Sequence, residues 1–314
     1  QGSLFKLTKG EYEFILDMIR EENPAPATKG NTPYTKDDFL KQVYMTEAKY
    51  DRLAAVLKKK KNVILQGAPG VGKTFAAKRL AYSIMGEIDE DRIEFVQFHQ
   101  NYSYEDFMMG YKPVDEGFKL KFGIFYRFCK KAENHPDKDF FFIIDEINRG
   151  NMSKIFGELL MLIEADYRDK KATLAYNGLE FTVPKRLHII GMMNTADRSL
   201  AMIDYALRRR FSFFDMEPGF DSEGFLNYQK GFNSATFDTL VEKIKELNGD
   251  ILKDPSLGKG FCIGHSYFCN IDECTDDVLK DIVDFDIIPM LSEYWFDDNT
   301  KLQKWENILH GVFQ

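Results

Sequence analysis

The chain has 314 residues and a formal net charge of −8 at pH 7, and 44 % of its residues are hydrophobic. This length and apolar content are sufficient for two hydrophobic cores. No segment has the uninterrupted apolar length of a membrane span, and the first residues do not read as a secretory signal, so we expect a cytoplasmic protein with no membrane partner. The acidic balance argues against broad, unassisted binding to duplex DNA.

Residues 1–34 predict a helix followed by a linker. Apolar residues recur at helical spacing over Gly10–Glu22, and the segment Asn23–Gly30, which contains two prolines, breaks that pattern. Helical character resumes over Lys36–Leu57 and ends in the lysine run Lys58–Lys61, which is typical of a solvated helix end.

A phosphate-binding loop follows the first predicted strand, Asn62–Gln66. The pattern G-x-x-x-x-G-K-[ST] is complete, and a helical segment, Phe75–Met85, comes directly after it and stops at Gly86. Glycines in such a loop let backbone N–H groups turn toward phosphates, Lys73 supplies a cation to the β and γ phosphates, and the Thr74 hydroxyl is placed to ligate Mg²⁺. The nucleotide-binding residues of this loop are Gly67, Ala68, Pro69, Gly70, Val71, Gly72, Lys73 and Thr74.

Two adjacent carboxylates end a second buried strand. Phe140–Ile144 is apolar on both faces, as a central parallel strand requires, and Asp145 and Glu146 follow it. Asp145 would hold Mg²⁺ through water, and Glu146 would polarise the attacking water. The alternative is a helix N-cap pair. Because the pair follows Lys73 by 72 residues (145 − 73) with a strand-like segment between, we favour hydrolysis.

Further strands alternate with helical stretches such as Ser153–Asp166. Three of them are predicted, at Ile93–Phe98, Leu187–Met193 and Phe211–Phe214. The alternation predicts an α/β fold with a five-stranded, mostly parallel sheet flanked by helices on both faces. Within Ala172–Val183, the dipeptide Asn177-Gly178 predicts a type I′ hairpin that is inserted into the fold.

The strand Leu187–Met193 leads into Asn194-Thr195-Ala196-Asp197, for which three interpretations remain open. The tetrapeptide partly matches the pattern by which small GTPases read guanine, and it could also be a capping turn. We favour a sensor role, in which Asn194 lies near the γ phosphate and orients water, because its strand is expected beside the phosphate-loop strand.

Three arginines, Arg208 to Arg210, stand directly before the last strand. Such a cluster is usually a solvated basic edge. Here a neighbouring subunit could receive it, and an arginine supplied in trans stabilises the charge that develops on a transferred phosphoryl group.

These motifs together resemble the AAA+ NTPases and, more narrowly, the McrB-like motor subunits of modification-dependent restriction systems. The likeness spans roughly residues 35–310, and its strings are the phosphate loop, Phe98–Phe107, Asp145–Arg149, Met193–Ser199, Tyr205–Phe211 and Ile263–Phe268. The resemblance implies that Asn194 is sensor 1 and that Arg209 and Arg210 are the trans-arginine candidates. His265, assigned to the nucleotide site, stands where many relatives have the sensor 2 arginine, so the resemblance does not imply that the lid contacts the γ phosphate.

McrB-like proteins are hexameric rings that hydrolyse GTP and work with an endonuclease partner, McrC, whereas broader relatives use ATP. The resemblance therefore implies GTP, Mg²⁺, a homo-oligomeric ring and an McrC-like partner. DNA is expected mainly through a separate N-terminal module or the partner, because the residues before Tyr34 are too few for such a module. A MoxR-type ATP-driven remodelling chaperone and a nucleotide-gated assembly scaffold with little turnover are the alternatives.

Past Asp221 the strands stop, and two helical stretches, Phe237–Leu247 and Asp276–Trp295, flank the loop Gly249–Gly260. We interpret them as the helical lid, with an AAA+ nucleotide-binding α/β domain over residues 35–219 and the lid over 220–314. Four lid residues could be drawn as a zinc site: Cys262, His265, Cys269 and Cys274. Their spacing lacks a paired C-x-x-C, so we expect reduced thiols and no metal beyond Mg²⁺.

Overall fold

The computed structural model describes residues 32–114, 117–196 and 205–314, with side chains from residue 207 in the last range. The helix and linker predicted before residue 32 lie outside the described residues. Strands in these ranges are β1 Asn62–Gly67, β2 Ile93–Gln97, β3 Met109–Val114, β4 Gly117–Phe122, β5 Phe140–Asp145, β6 Ala172–Thr173, β7 Glu180–Phe181, β8 Leu187–Asn194 and β9 Ser212–Met216.

Five of the strands form one parallel sheet in the order β2-β5-β8-β1-β9. The predicted α/β fold with a five-stranded parallel sheet is therefore confirmed. β1 lies between β8 and β9, so the phosphate loop leaves the sheet beside the end of β8. Gly67, the last residue of β1, is paired in register with Asn194, the last residue of β8.

Helices cover both faces of this sheet and build the C-terminal lid. They are α1 Lys36–Gln42, α2 Glu47–Lys60, α3 Lys73–Met85, α4 Tyr104–Phe107, α5 Ile124–Glu133, α6 Met152–Phe156, α7 Leu159–Leu162, α8 Tyr205–Arg208, α9 Glu223–Phe232, α10 Ala235–Lys253, α11 Asp276–Asp281, α12 Ile288–Tyr294 and α13 Asn299–His310. A π-helical segment, Ile282–Ile287, joins α11 to α12. Within the described ranges, no helix combines the length and the apolar character needed to cross a membrane.

Two hydrophobic cores lie on opposite faces of the sheet. Alternate residues of β5 supply them, because successive side chains of a strand point to opposite faces. Phe141 and Ile143 belong to one core, and Phe140, Phe142 and Ile144 belong to the other. The first core continues into the lid through Phe237, Leu240, Ile244 and their neighbours. The lid therefore packs against the sheet domain through a shared apolar core, while the division at residues 219 and 220 stays a prediction.

Two predicted helices are wrong in extent. The stretch Ser153–Asp166 is broken into α6 and α7, because Gly157 adopts a left-handed conformation (φ +48°) that ends α6. Lys36–Leu57 is likewise two helices, and α2 begins afresh at Thr46, whose hydroxyl accepts the Lys49 N–H at 3.4 Å. Local apolar spacing continued across both breaks, so periodicity alone did not reveal them.

The hairpin prediction was correct in place and wrong in turn type. β6 and β7 pair antiparallel, as predicted for a hairpin. The turn is longer than two residues, because the Leu174 N–H donates to the Leu179 carbonyl at 2.9 Å and four residues lie between them. Gly178 has φ +68°, whereas Asn177 is not among the residues with positive φ, and a type I′ turn needs both.

A second hairpin, β3 and β4, was missed altogether. It lies between α4 and α5, and its strands pair from Met109 with Phe122 to Val114 with Gly117. Tyr176 of the first hairpin lies against it, with ring centroids 6.4 Å from Tyr111, and stacks on Tyr104 at 5.5 Å. The two insertions therefore brace each other on one side of the sheet domain.

Candidate nucleotide-binding site

The phosphate loop is shaped by backbone conformations that only glycine adopts easily. Gly70 and Gly72 have φ of +75° and +74°, in the left-handed region, and Gly72 caps the N-terminus of α3. At Gly67 a Cβ atom would collide with the Met216 carbonyl. The loop therefore wraps closely around the start of α3, where free N–H groups and the helix dipole favour an anion.

Lys73 is the first residue of α3 and points back into this loop. Its Nζ donates to the carbonyl oxygens of Gly67 at 3.0 Å and Ala68 at 2.8 Å. Burial lowers the pKa of Lys73 to about 8, while the nearby carboxylates of Glu146 and Asp145 act in the opposite direction. In the described part of the chain no carboxylate lies within ion-pair distance of Nζ, so this cation suits an anionic ligand.

The two predicted carboxylates leave β5 in different directions. Asp145 is the last residue of the strand, and Glu146 takes a left-handed backbone conformation with φ +49°. A non-glycine residue there costs of order 1–3 kcal/mol, and such strain is concentrated at functional sites. Asp145 Oδ1 accepts the Glu146 N–H at 3.0 Å, and burial raises the pKa of Asp145.

Glu146 is held on both carboxylate oxygens. Asn194 Nδ2 donates to Oε1 at 2.9 Å, and Arg149 Nε donates to Oε2 at 3.0 Å. The sheet register explains the first contact, since β8 lies between β5 and β1 and ends at Asn194. Asn194 thus lies beside the predicted catalytic glutamate. Asp197, needed for the guanine-reading alternative, lies outside the described residues.

A cavity of about 570 Å³ extends from these groups to the lid. Its polar end is lined by Gly72, Lys73, Thr74, Asp145, Glu146 and Asn194. Its other end is lined by the α1–α2 turn and the lid, through Gln42, Val43, Tyr44, Tyr228 and Asn270. The volume falls in the range of small-molecule and cofactor sites.

The lid touches the phosphate loop through its backbone. The Ser266 N–H donates to the Gly70 carbonyl at 2.9 Å, and a Cβ at Gly264 would collide with the Gly70 backbone. His265 lies between these residues, and its Nδ1 accepts the Gly219 N–H at 2.8 Å. Burial lowers the pKa of His265 to about 4, so at neutral pH the lid brings no positive charge through this residue.

Comparison with known proteins identifies the family. Residues 62–211 match the AAA domain of the dynein-related subfamily, and residues 239–303 match the α-helical lid domain of McrB. The EcoKMcrB subunit of the type IV methyl-directed restriction enzyme of Escherichia coli is 49 % identical over 313 residues, which cover 96 % of this chain and 68 % of that subunit. The chain is a McrB-like AAA+ protein.

A second relative is more distant. Component YdiS of the type II restriction enzyme BsuMI of Bacillus subtilis is 29 % identical over 248 residues, 64 % of this chain and 72 % of that component. Both relatives are parts of restriction enzymes. The predicted family and the restriction-system context are therefore confirmed, and the roles of individual residues remain predictions.

The arginines of this McrB-like chain lie far from its own phosphate loop. They precede β9, whose Ser212 is in register with Val63 near the start of β1, whereas the loop leaves the other end of β1. Six residues of strand separate the two ends by roughly 17 Å. Arg209 and Arg210 therefore lie at the opposite end of β1 from the chain's own phosphate loop.

The two candidate arginines have different surroundings. Arg210 Nε donates to the Leu160 carbonyl at 2.6 Å and lies 2.9 Å from Glu164, and its side chain is 10 % exposed. Arg209 is 69 % exposed, and its contact with Glu164 is longer, at 3.5 Å. The guanidinium of Arg210 is thus bonded within its own McrB-like chain, whereas that of Arg209 is mostly exposed to solvent.

Some contacts in this McrB-like site were not anticipated. Arg149 and Ser266 lie in family strings but were given no role, and nothing in the sequence marks Gly219, which acts through its backbone N–H. All four cysteines are free thiols, and His265 Nδ1 accepts the Gly219 N–H. In the described ranges no group of three or more histidine, cysteine or acidic residues could hold a metal.

Magnesium is different, because it needs few protein ligands. Mg²⁺ is commonly bound by one or two carboxylates together with waters and substrate phosphates. Thr74 and Asp145 line the same cavity and offer a hydroxyl and a carboxylate oxygen. The raised pKa of Asp145 reflects a buried carboxylate that a cation would stabilise in its charged form. The donor set therefore fits a Mg²⁺–nucleotide complex.

Proposed function

We propose that this protein is the Mg²⁺-dependent nucleotide-hydrolysing motor of a restriction system. The observation that carries the proposal is the arrangement around Glu146, whose carboxylate is held by Asn194 and Arg149 at the edge of the cavity that also contains the phosphate loop. A protein that only binds nucleotide has no need of a carboxylate fixed at this point.

The residues divide the chemistry among them. Residues 67–74 bind the phosphates through backbone N–H groups and the Lys73 ammonium, and Thr74 and Asp145 would hold the Mg²⁺. Glu146 accepts a hydrogen bond from the attacking water and polarises it. Asn194 keeps the Glu146 carboxylate in position and orients the same water. When bound, Mg²⁺ neutralises charge on the β and γ phosphates.

The trans arginine is Arg209 in this proposal. Its exposed guanidinium can reach a neighbouring subunit, whereas that of Arg210 bonds to Leu160 and Glu164. Because an arginine from a neighbour requires assembly, the proposal includes a homo-oligomeric ring, by resemblance a hexamer. The restriction context of the Escherichia coli relative supports an McrC-like endonuclease partner and DNA translocation or cleavage by the complex. DNA recognition itself is assigned mainly to a separate N-terminal module or to the partner.

GTP is the proposed substrate rather than ATP. At the far end of the cavity, Gln42 Oε1 accepts both Arg79 Nε at 2.9 Å and the Tyr34 hydroxyl at 3.1 Å. Because both donors fix the amide oxygen, the group that Gln42 has left to offer is its NH₂, a donor. A donor suits O6 of guanine, an acceptor, better than the amino group at the same position of adenine.

Phosphate release from GTP and from ATP, measured with Mg²⁺ across a range of protein concentrations, tests the proposal. We expect faster release from GTP and a specific activity that rises with concentration, because the trans arginine acts only in an assembly. Preference for ATP would keep the motor and move it toward the wider AAA+ relatives. A MoxR-type chaperone would further require a protein substrate in place of the endonuclease.

Glu146→Gln separates a motor from a nucleotide-gated scaffold. It should keep nucleotide affinity and assembly and lose roughly 10²–10⁴-fold in turnover, the usual contribution of a general base. Glu242→Gln, on the exposed face of α10, is the matched control and should hydrolyse like the parent. If Glu146→Gln hydrolyses as fast as the parent, the assignment of Glu146 is wrong.

A further inference from the structure

His265 is a buried histidine at the contact between lid and phosphate loop. His265 is 6 % exposed, and aromatic rings surround its imidazole. The distances between ring centroids are 5.3 Å to Tyr44, 6.2 Å to Phe225 and 6.3 Å to Phe220. Tyr44 comes from the α1–α2 turn, and the two phenylalanines follow β9. The imidazole is therefore held in one place by elements from both domains.

The hydrogen bond to Gly219 decides which nitrogen of the ring carries the proton. The Gly219 N–H lies 2.8 Å from Nδ1, and a backbone N–H can only donate. Nδ1 must therefore present a lone pair. Because a buried aromatic surrounding disfavours the doubly protonated ring, the neutral tautomer with hydrogen on Nε2 is the one that fits.

Nε2 faces the phosphate loop. It lies 3.7 Å from the point where a Cβ atom of Gly72 would stand, and His265 lines the same cavity as Lys73 and Thr74. Among the described residues Nε2 has no acceptor. The neighbouring bond from the Ser266 N–H to the Gly70 carbonyl, at 2.9 Å, fixes the distance between this ring and the loop.

We propose that His265 binds the nucleotide as a neutral donor, giving its Nε2–H to an oxygen of the phosphate chain, with the Gly219 N–H as the group that sets the tautomer. The inference rests on the proposed function, since its ligand is the nucleotide. At the position where many relatives have a charged arginine, this chain would therefore use an uncharged hydrogen-bond donor. Gly219 lies between β9 and α9, so the bond that sets the tautomer also spans the junction of sheet domain and lid.

The tautomer can be measured without any nucleotide. ¹⁵N NMR of protein labelled in its five histidines reports the protonation of each ring nitrogen, and the signal that disappears in His265→Asn assigns His265. We expect an unprotonated Nδ1 and a protonated Nε2 at pH 7. A ring protonated at Nδ1, or a charged imidazolium, would overturn the proposal.

His265→Asn tests the donor itself. The asparagine oxygen stands close to the position of Nδ1 and can still accept the Gly219 N–H, but no donor then reaches the loop. Loss of a hydrogen bond to a charged group predicts a Kd for GTP that is weaker by roughly 10- to 100-fold, read by calorimetric titration. His310→Asn, a change far along the chain in α13 with Asp284 as partner, is the matched control and should bind like the parent.

The two possible failures are distinguishable. If the parent binds GTP and His265→Asn binds equally well, the donor role of His265 is wrong and the proposed function stands. If the parent binds neither GTP nor ATP, the donor role of His265 and the proposed function are both wrong. Should His265→Asn fail to fold, the tautomer measured on the parent, with its signal assigned by elimination through variants of the other four histidines, decides the question.

Discussion

The two ends of β1 both carry buried or partly buried polar groups, yet they are satisfied in different ways. At the phosphate-loop end, Lys73, Asp145 and Asn194 line an open cavity. At the other end, Asn62 is 0 % exposed. Its Nδ2 donates to the carbonyls of Ile163 at 2.7 Å and Arg210 at 3.0 Å, and its Oδ1 accepts from Arg168. A buried polar residue by itself therefore does not indicate a catalytic site. A polar residue that lines an open cavity does.

The closed end also contains a guanidinium that has no carboxylate partner among the residues that the structure describes. Arg168 donates to Asn62 Oδ1 at 2.7 Å and to the Ile163 carbonyl at 3.1 Å, and burial lowers its pKa to about 10. Asn62 thus joins Arg168 to the backbone of Arg210. The network fixes the turn that carries Arg209. In the proposed function, one end of β1 binds the chain's own nucleotide and the other presents an arginine to a neighbouring subunit.

The contrast is tested most strongly by exchanging the two arginines for alanine. Arg209→Ala should lose 10³-fold or more in turnover within the assembled protein, at unchanged nucleotide affinity and stability, because a trans arginine contributes roughly 10³–10⁵ in rate. Arg210→Ala should instead lower the free energy of unfolding, since it removes the contacts to Leu160 and Glu164. Single-turnover kinetics and denaturation of both variants decide between the roles, and normal hydrolysis by Arg209→Ala would refute the assignment.

Asn62→Ala should produce the next largest effect, and on stability alone. The change leaves the carbonyls of Ile163 and Arg210 and the buried Arg168 guanidinium without their partner, which predicts a loss of about 3–5 kcal/mol in the free energy of unfolding. Nucleotide affinity of the folded fraction should not change, because the network lies at the far end of β1. Urea denaturation measures the loss, and the exposed Asn307→Ala is the control. A specific effect on affinity without a loss of stability would contradict the division between the two ends.

How much of each end could be predicted follows from the range of its contacts. The loop Gly67–Thr74 and the pair Asp145–Glu146 are local strings whose chemistry is fixed by residue type and by their place after a strand. Asn194 needed only the order of strands in addition. The Asn62–Arg168 bond joins residues 106 positions apart, with no motif at either, so it is visible only once the chain is folded.

Errors in the predicted elements have the same origin. The apolar spacing of Ser153–Asp166 is helical throughout, but Gly157 turns left-handed where Tyr104 packs close to it, which is a tertiary contact. A type I′ turn at Asn177-Gly178 would pair Tyr176 with Leu179. In the structure Leu179 pairs instead with Leu174, two residues earlier in the chain. The hairpin of β3 and β4 was missed because its strands alternate only weakly between apolar and polar residues.

Asn194→Ala returns to the open end with a smaller expected effect. Glu146 would lose the donor to Oε1 and keep Arg149 on Oε2. A misplaced general base of this kind costs roughly 10²-fold in turnover, equivalent to about 2.7 kcal/mol, with nucleotide affinity nearly unchanged. Phosphate release at saturating nucleotide measures it, and Asn194→Ala in the Glu146→Gln background should add little if the amide acts through Glu146. Fully additive losses would show that Asn194 acts on the nucleotide directly.

The smallest predicted effect is a pH dependence to which each end contributes one histidine. His265 at the open end and His188 near the closed end are both buried, and burial lowers the pKa of each, to about 4 for His265. The unfolded chain binds these protons near pH 6.5 and the folded chain does not, so stability is full above pH 6.5 and falls as the pH is lowered toward 4.

For His265 alone the loss between pH 6.5 and pH 5 is about 2 kcal/mol, since each pH unit over which only the unfolded state is protonated costs about 1.4 kcal/mol. Urea denaturation of parent and His265→Asn across this range separates the two ends. The variant should lose the larger part of the slope and keep the part due to His188, whose ring stacks on Phe141 at 4.9 Å and bonds to Asp139 at 3.0 Å. An unchanged slope in His265→Asn would mean that this ring takes up its proton in the folded protein as readily as in the unfolded chain, and the lid residue at the open end would then become charged as the pH falls below about 6.5.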